Sequence, residues 1–109
     1  MSELAKLTIE QARTGLESKE FSAVELTTSC LESIETAAKL NAFVHDTPEL
    51  ALKQAAEADK VLKTGSAKSM CGIPIGVKDL FCTRDIPSQA GSRILQGFKP
   101  TYESTITQK

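Results

Sequence analysis

The stretch CGIPIGVKDLF, residues 71–81, decides how the chain is read. Gly72 and Pro74 open an apolar, β-branched run through Ile73, Ile75 and Val77, and the run ends on Lys78, Asp79 and Leu80. A short apolar run of this kind, punctuated by Gly and Pro, has the grammar of a buried strand. The expectation is a strand over Cys71–Val77 that delivers Lys78 at its end. On composition alone, such a lysine is a solvated terminator, and Lys78–Asp79 is half of a surface ion pair worth under about 1 kcal/mol. Its neighbours Ile73, Ile75, Val77, Leu80 and Phe81 offer a second reading, an ammonium that partial burial drives toward the neutral amine. A lysine in that state serves as a base, and Ser–Lys arrangements are an alternative to Ser–His–Asp.

Upstream the pattern is helical. Thr8-Ile9-Glu10-Gln11 fits a capping box, followed by Ile9, Ala12, Arg13 and Leu16 at helical spacing, with Gly15 implying a short helix. Ser22 and Glu25 form a second box, with Phe21 and Leu26 at the two positions of a hydrophobic staple. Val24, Thr27, Cys30, Leu31, Ile34 and Ala38 then share a face, predicting a helix over 23–38. Leu40-Asn41-Ala42-Phe43-Val44 reads as a short strand candidate. Thr47-Pro48 starts a third helix, with proline where its missing N–H costs nothing. Its face is narrow and alanine-rich, and Gly65 is placed to end it in a left-handed conformation. Gly65 to Ser69 is a linker.

Beyond Asp79 the chain is punctuated by Pro87, Gly91, Gly97 and Pro100, with a helical turn expected at 91–95 and a last helix starting near Glu103 to Thr105. That helix runs out at Lys109 without a cap. One strand and a weak second cannot form a stable sheet alone. Residues 1–69 are therefore expected to be an N-terminal helical segment and 70–109 the incomplete start of a larger α/β domain. The isolated chain is expected to expose an unpaired sheet edge and to associate.

Composition sets further bounds. The 109 residues carry 13 basic and 14 acidic side chains, a net charge of −1. They form no basic stripe of the sort that phosphate neutralisation requires, so direct RNA contact is not expected. Cys30, Cys71 and Cys82 are odd in number and lack a C-x-x-C pair, which favours reduced thiols in a cytoplasmic setting. The N-terminal MSELAKLTIE has neither an apolar h-region nor an Arg-rich amphipathic segment, so neither a signal nor a transit peptide is expected, and no apolar run approaches the roughly 20 residues that span a bilayer. His45 has no companions at metal-ligand spacing, so no metal site is read. Cys71 and Cys82 read as buried, inert thiols, with Met70 and Cys71 a weaker candidate for lining a channel. Gly91-Ser92-Arg93 reads as a turn that sends Leu95 and Phe98 into a core, ahead of an anion-binding role.

Gly72-Ile-Pro-Ile-Gly-Val-Lys-Asp79 resembles the opening motif of the amidase signature family. The flanks FSAVELTTSCLESIE (21–35), LNAFV (40–44) and AGSRILQGFKPTYESTIT (90–107) narrow the resemblance to the branch that serves glutamyl-tRNA(Gln)/aspartyl-tRNA(Asn) amidotransferases. The likeness covers the whole chain but only the N-terminal portion of a family member. It implies an α/β fold in which an N-terminal helical layer leads into the first strand of a mixed α/β/α sheet. It also implies that Lys78 is the general base of a Ser–cis-Ser–Lys triad. The amine deprotonates a bridging serine, which activates a nucleophilic serine toward the carboxamide of glutamine. Both serines lie downstream in the family, and none of Ser66, Ser69, Ser88, Ser92 or Ser104 stands in a G-G-S-S-G-G context. This chain alone is therefore not expected to be an amidase. The implied partners are the B and C subunits, with glutamine as substrate, tRNA met only through the complex, and no membrane. No cofactor is expected in this chain, and ATP and Mg belong to the partner subunit. Two other readings stand beside it: a piece of a stand-alone amidase, and a non-catalytic helical interaction module.

Overall fold

The computed structural model describes residues 3–109. They divide into two compact units, Met1–Pro74 and Ile75–Lys109.

The first unit is helical. A single 3-10 turn at Leu4–Lys6 precedes α1 (Ile9–Glu17), α2 (Ala23–Thr36), a second 3-10 turn at Ala38–Leu40, and α3 (Pro48–Thr64). Both predicted capping boxes form. The Thr8 hydroxyl accepts from Gln11 N–H at 3.2 Å while the Gln11 side chain accepts from Thr8 N–H at 2.9 Å. Ser22 and Glu25 repeat this at 3.1 and 2.8 Å. Asp59, on α3, adds a cap that crosses between helices. Its Oδ1 accepts from Ala23 N–H at 2.7 Å and its Oδ2 from Val24 N–H at 3.2 Å. Ser22 and Asp59 thus satisfy the three first-turn donors of α2 that have no partner inside the helix.

α1 ends with Lys19 at φ 60°, Lys19 N–H donating to Leu16 O and Glu20 N–H to Gly15 O. This is the double-bonded Schellman closure, made here without the usual glycine. α2 stops at Thr36 rather than 38, because Ala37 leaves helical geometry at ψ 15° and the chain tightens into the 3-10 turn. The strand expected at Leu40–Val44 does not form. Asn41 is left-handed at φ 50°, Leu40 closes the 3-10 turn at 76% exposed, and Val44 is 72% exposed in the loop that follows. α3 begins on Pro48 and ends at Gly65, whose φ of 75° removes the chain from the helix at little steric cost.

The core of this unit is Ala12, Leu16, Ala23, Leu26 and Ala55, with Leu4, Leu7, Phe21, Val24, Ala58, Leu62 and Ile73 packed around it. Small residues at the centre let the helices approach closely. Gly72 shows how closely. A Cβ there would stand 3.1 Å from Ala23 Cβ, 3.2 Å from Leu16 Cδ1 and 3.3 Å from Leu62 Cδ1, on a backbone at φ 81°.

Cys71–Val77 is not a strand, and the described residues contain no β-strand at all. Ile73 closes back into the helical unit, where Cys71 N–H bonds Lys68 O and Ile73 N–H bonds Met70 O in successive turns. The expected sheet and its unpaired edge are therefore corrected to turns for the residues described. The physical reason is that a strand makes no hydrogen bonds within itself and exists only when a neighbouring strand supplies its ladder.

The second unit is built from turns and ends in α4 (Thr105–Gln108), started by the Ser104 side chain, which accepts from Thr107 N–H. The helical turn expected at 91–95 is instead a pair of turns closed by Gln96 N–H to Arg93 O and Phe98 N–H to Leu95 O. Among its residues only Ser88 and Pro100 are buried, so hydrogen bonds rather than an apolar core hold it.

Candidate functional site

Lys78 is solvent-exposed, and its apolar neighbours do not cover it. Ile75, Val77 and Leu80 are themselves 67%, 49% and 50% exposed. Among the described residues nothing covers the Ile75 and Val77 face, so the desolvated setting expected for the amine is not formed by them. The exposure of Lys78 fits a solvated terminator, though without the surface ion pair. No ion pair joins Lys78 to Asp79 among the described residues, where the ion pairs are Lys6–Glu3, Arg13–Glu17 and Lys60–Glu57.

The Asp79 carboxylate is engaged elsewhere. Its Oδ1 accepts from Gln89 N–H at 2.9 Å, and its carbonyl accepts from Ala90 N–H at 2.8 Å. Lys78 O accepts from Phe81 N–H at 3.1 Å, closing a tight turn through Asp79 and Leu80. On the far side Ser92 N–H donates to Gln89 O at 2.8 Å, closing a four-residue turn through Ala90 (φ 50°) and Gly91 (φ 68°). Two successive left-handed residues define the type I′ family of turns, and a non-glycine in that region costs about 1–2 kcal/mol. The Gln89 side chain carries the network on, accepting from Gly97 N–H at 2.6 Å. Ser88 N–H donates to Phe98 O at 2.9 Å, and the buried Ser88 hydroxyl accepts from Thr83 N–H and donates to Ile86 O. Residues 78–98 are thus held by a chain of polar bonds that starts beside Lys78.

Ser66, Ser88, Ser92 and Ser104 are otherwise employed. Ser66 shares a hydrogen bond with Thr64, Ser92 accepts from Ile94 N–H, and Ser104 caps α4. None is hydrogen-bonded to Lys78 among the described residues. Cys71 lies 3.9 Å from Ala58 O, and Cys82 3.3 Å from the Tyr102 hydroxyl; both are half-buried rather than fully enclosed. The hydrogen bond with Cys82, and electrostatic interaction with the same side chain, push the Tyr102 phenol above its ordinary value. Burial likewise raises the Cys30 thiol. Met70 lines an open depression of about 420 Å³ with Ile9, Glu10, Arg13 and Ser69. Leu95 and Phe98, expected in a core, are 38% and 44% exposed. His45 is exposed, and no group of three His, Cys, Asp or Glu side chains among the described residues is gathered closely enough to hold a metal. No helix among them is long and apolar enough to cross a membrane.

Sequence reasoning singled out Lys78 and missed the Asp79–Gln89–Ala90 clamp. The available signal was Gln89-Ala-Gly-Ser92, whose central Ala-Gly pair offers a turn but not the partner that the turn bonds.

The family profile described as Amidase matches residues 25–109. Along its full length the chain is 58% identical to the A subunit of the glutamyl-tRNA(Gln) amidotransferase from Dinoroseobacter shibae and covers 22% of that protein. It is 58% identical over 110 residues to the protein of the same name from Ruegeria pomeroyi, and 55% identical over 109 residues to that of Jannaschia sp., again covering 22% of each. The chain spans about a fifth of the length of these curated relatives and matches their N-terminal part. A profile that accounts for most of the residues, Lys78 and its clamp included, leaves one assignment: the chain belongs to the amidase family.

Proposed function

We propose that the protein containing this chain is the glutaminase subunit of a tRNA-dependent amidotransferase, with Lys78 as general base of a Ser–cis-Ser–Lys triad. The observation that carries this reading is the likeness, over the whole of this chain and about a fifth of each relative, to proteins named for the A subunit of glutamyl-tRNA(Gln) amidotransferase, in a chain that holds the Gly72-Ile-Pro-Ile-Gly-Val-Lys-Asp79 motif. The Lys78 amine takes the proton of a bridging serine. That serine deprotonates the nucleophile, which attacks the glutamine carboxamide; ammonia leaves and an acyl-enzyme remains for water to hydrolyse. Ammonia then serves a partner subunit that uses ATP and Mg to activate glutamate or aspartate on misacylated tRNA. The B and C subunits are the proposed partners, the compartment is the cytoplasm, and this chain holds no cofactor of its own. Exposure of Lys78 in the described residues fits a base whose covering walls and serines are supplied by other segments.

The experiment is glutamine hydrolysis by the full-length protein. Lys78→Ala should lower kcat by about 10²–10⁴-fold, the range that a positioned proton acceptor contributes. Glutamine affinity should stay within a few-fold. Turnover at the wild-type rate would remove Lys78 from the reaction.

A further inference from the structure

The bonds around Lys78 assign a role to its neighbour. We propose that Asp79 is a positioning residue: its carboxylate and its carbonyl together fix the backbone from which the Lys78 amine reaches the serine relay. This rests on the reading of Lys78 as the base.

Packing does not hold this segment, because Ile75, Val77 and Leu80 lie about half or more in solvent. Three hydrogen bonds do: Phe81 N–H to Lys78 O, Gln89 N–H to Asp79 Oδ1, and Ala90 N–H to Asp79 O. Two of the three belong to Asp79. An N–H bond to a carboxylate is roughly twice as strong as one to a neutral acceptor. The clamp grips the chain directly after Lys78, so the Cα that carries the amine has little freedom left. Its other jaw is the Ala90–Gly91 turn, both residues left-handed. Backbone held in a costly conformation persists only where surrounding bonds over-determine it, and such places cluster at functional sites. The carboxylate is also not the ion-pair partner of Lys78, so its effect on the amine runs through position.

The consequence is a division between turnover and binding. A misplacement of about 1 Å at a reacting group costs on the order of 10²-fold in rate. In the full-length protein Asp79→Ala should lower kcat for glutamine hydrolysis by about tenfold to a hundredfold with KM changed less than about threefold. Asp79→Asn keeps an oxygen acceptor for Gln89 N–H, though a weaker neutral one, and should recover part of that loss. If Asp79→Ala does not fold, Asp79→Glu displaces the oxygens by one methylene and should show the same loss in kcat at unchanged KM. Wild-type kcat in Asp79→Ala or Asp79→Glu, alongside an inactive Lys78→Ala, overturns the positioning role alone. Asp79→Asn as impaired as Asp79→Ala overturns it too, since the charge rather than the acceptor would then matter. Activity surviving Lys78→Ala overturns the base assignment and this proposal together.

Discussion

Gly15 illustrates how a single residue is set by its neighbours in space. It lies inside α1, where alanine would be the better helix former by about 1 kcal/mol. Yet a Cβ at Gly15 would overlap Cε1 and Cζ of the Phe21 ring, which packs against the core. Propensity and packing therefore oppose each other, and packing has the larger magnitude, since forcing an extra carbon into a filled site costs typically 1–3 kcal/mol. Gly15→Ala should lower stability by about 1–2 kcal/mol in chemical denaturation. A midpoint that stays put or rises would show that Phe21 yields without cost. The sequence supports only the weaker reading, that a glycine shortens the helix. What it does not show is that the Phe21 ring folds back onto Gly15.

Among the elements, α2 depends most on its caps. The Ser22–Glu25 box is written in the sequence because its partners are three residues apart. The Asp59 clamp on Ala23 and Val24 is not, because 36 residues separate donor and acceptor. Asp59→Ala would leave two half-buried N–H groups without partners and remove the tie between α2 and α3. A loss of about 1–3 kcal/mol is expected, measured as a fall in the denaturation midpoint. Asp59→Asn, which keeps an acceptor, should lose less; equal losses in the two variants would mean that charge rather than bonding matters. The failed strands belong to this scale as well. Cys71–Val77 and Leu40–Val44 have strand composition, but a strand's hydrogen bonds all go to another segment. Composition therefore states a capacity that these residues do not realise among themselves.

For the molecule as a whole, the two units differ in what holds them. Every member of the apolar core lies in Met1–Pro74, while Ile75–Lys109 buries little beyond Ser88 and Pro100. Protection against hydrogen exchange follows buried apolar contact and shielded hydrogen bonds. Backbone amides of residues 81–104 should therefore exchange at lower denaturant than those of α2 and α3. Simultaneous loss of protection in both would mean that the two units unfold as one.

Local grammar alone set the start of each helix, the two capping boxes, the glycine that ends α3 and the family likeness centred on Lys78. Each of these is carried by residues within a few positions of one another. Only the tertiary structure decided that the strand-like run forms turns among the described residues, that Asp59 caps a helix it does not belong to, and that Asp79 bonds Gln89 and Ala90 instead of Lys78. Those outcomes depend on which distant N–H group finds an acceptor and which apolar face finds a cover, and that is settled only when the chain has folded.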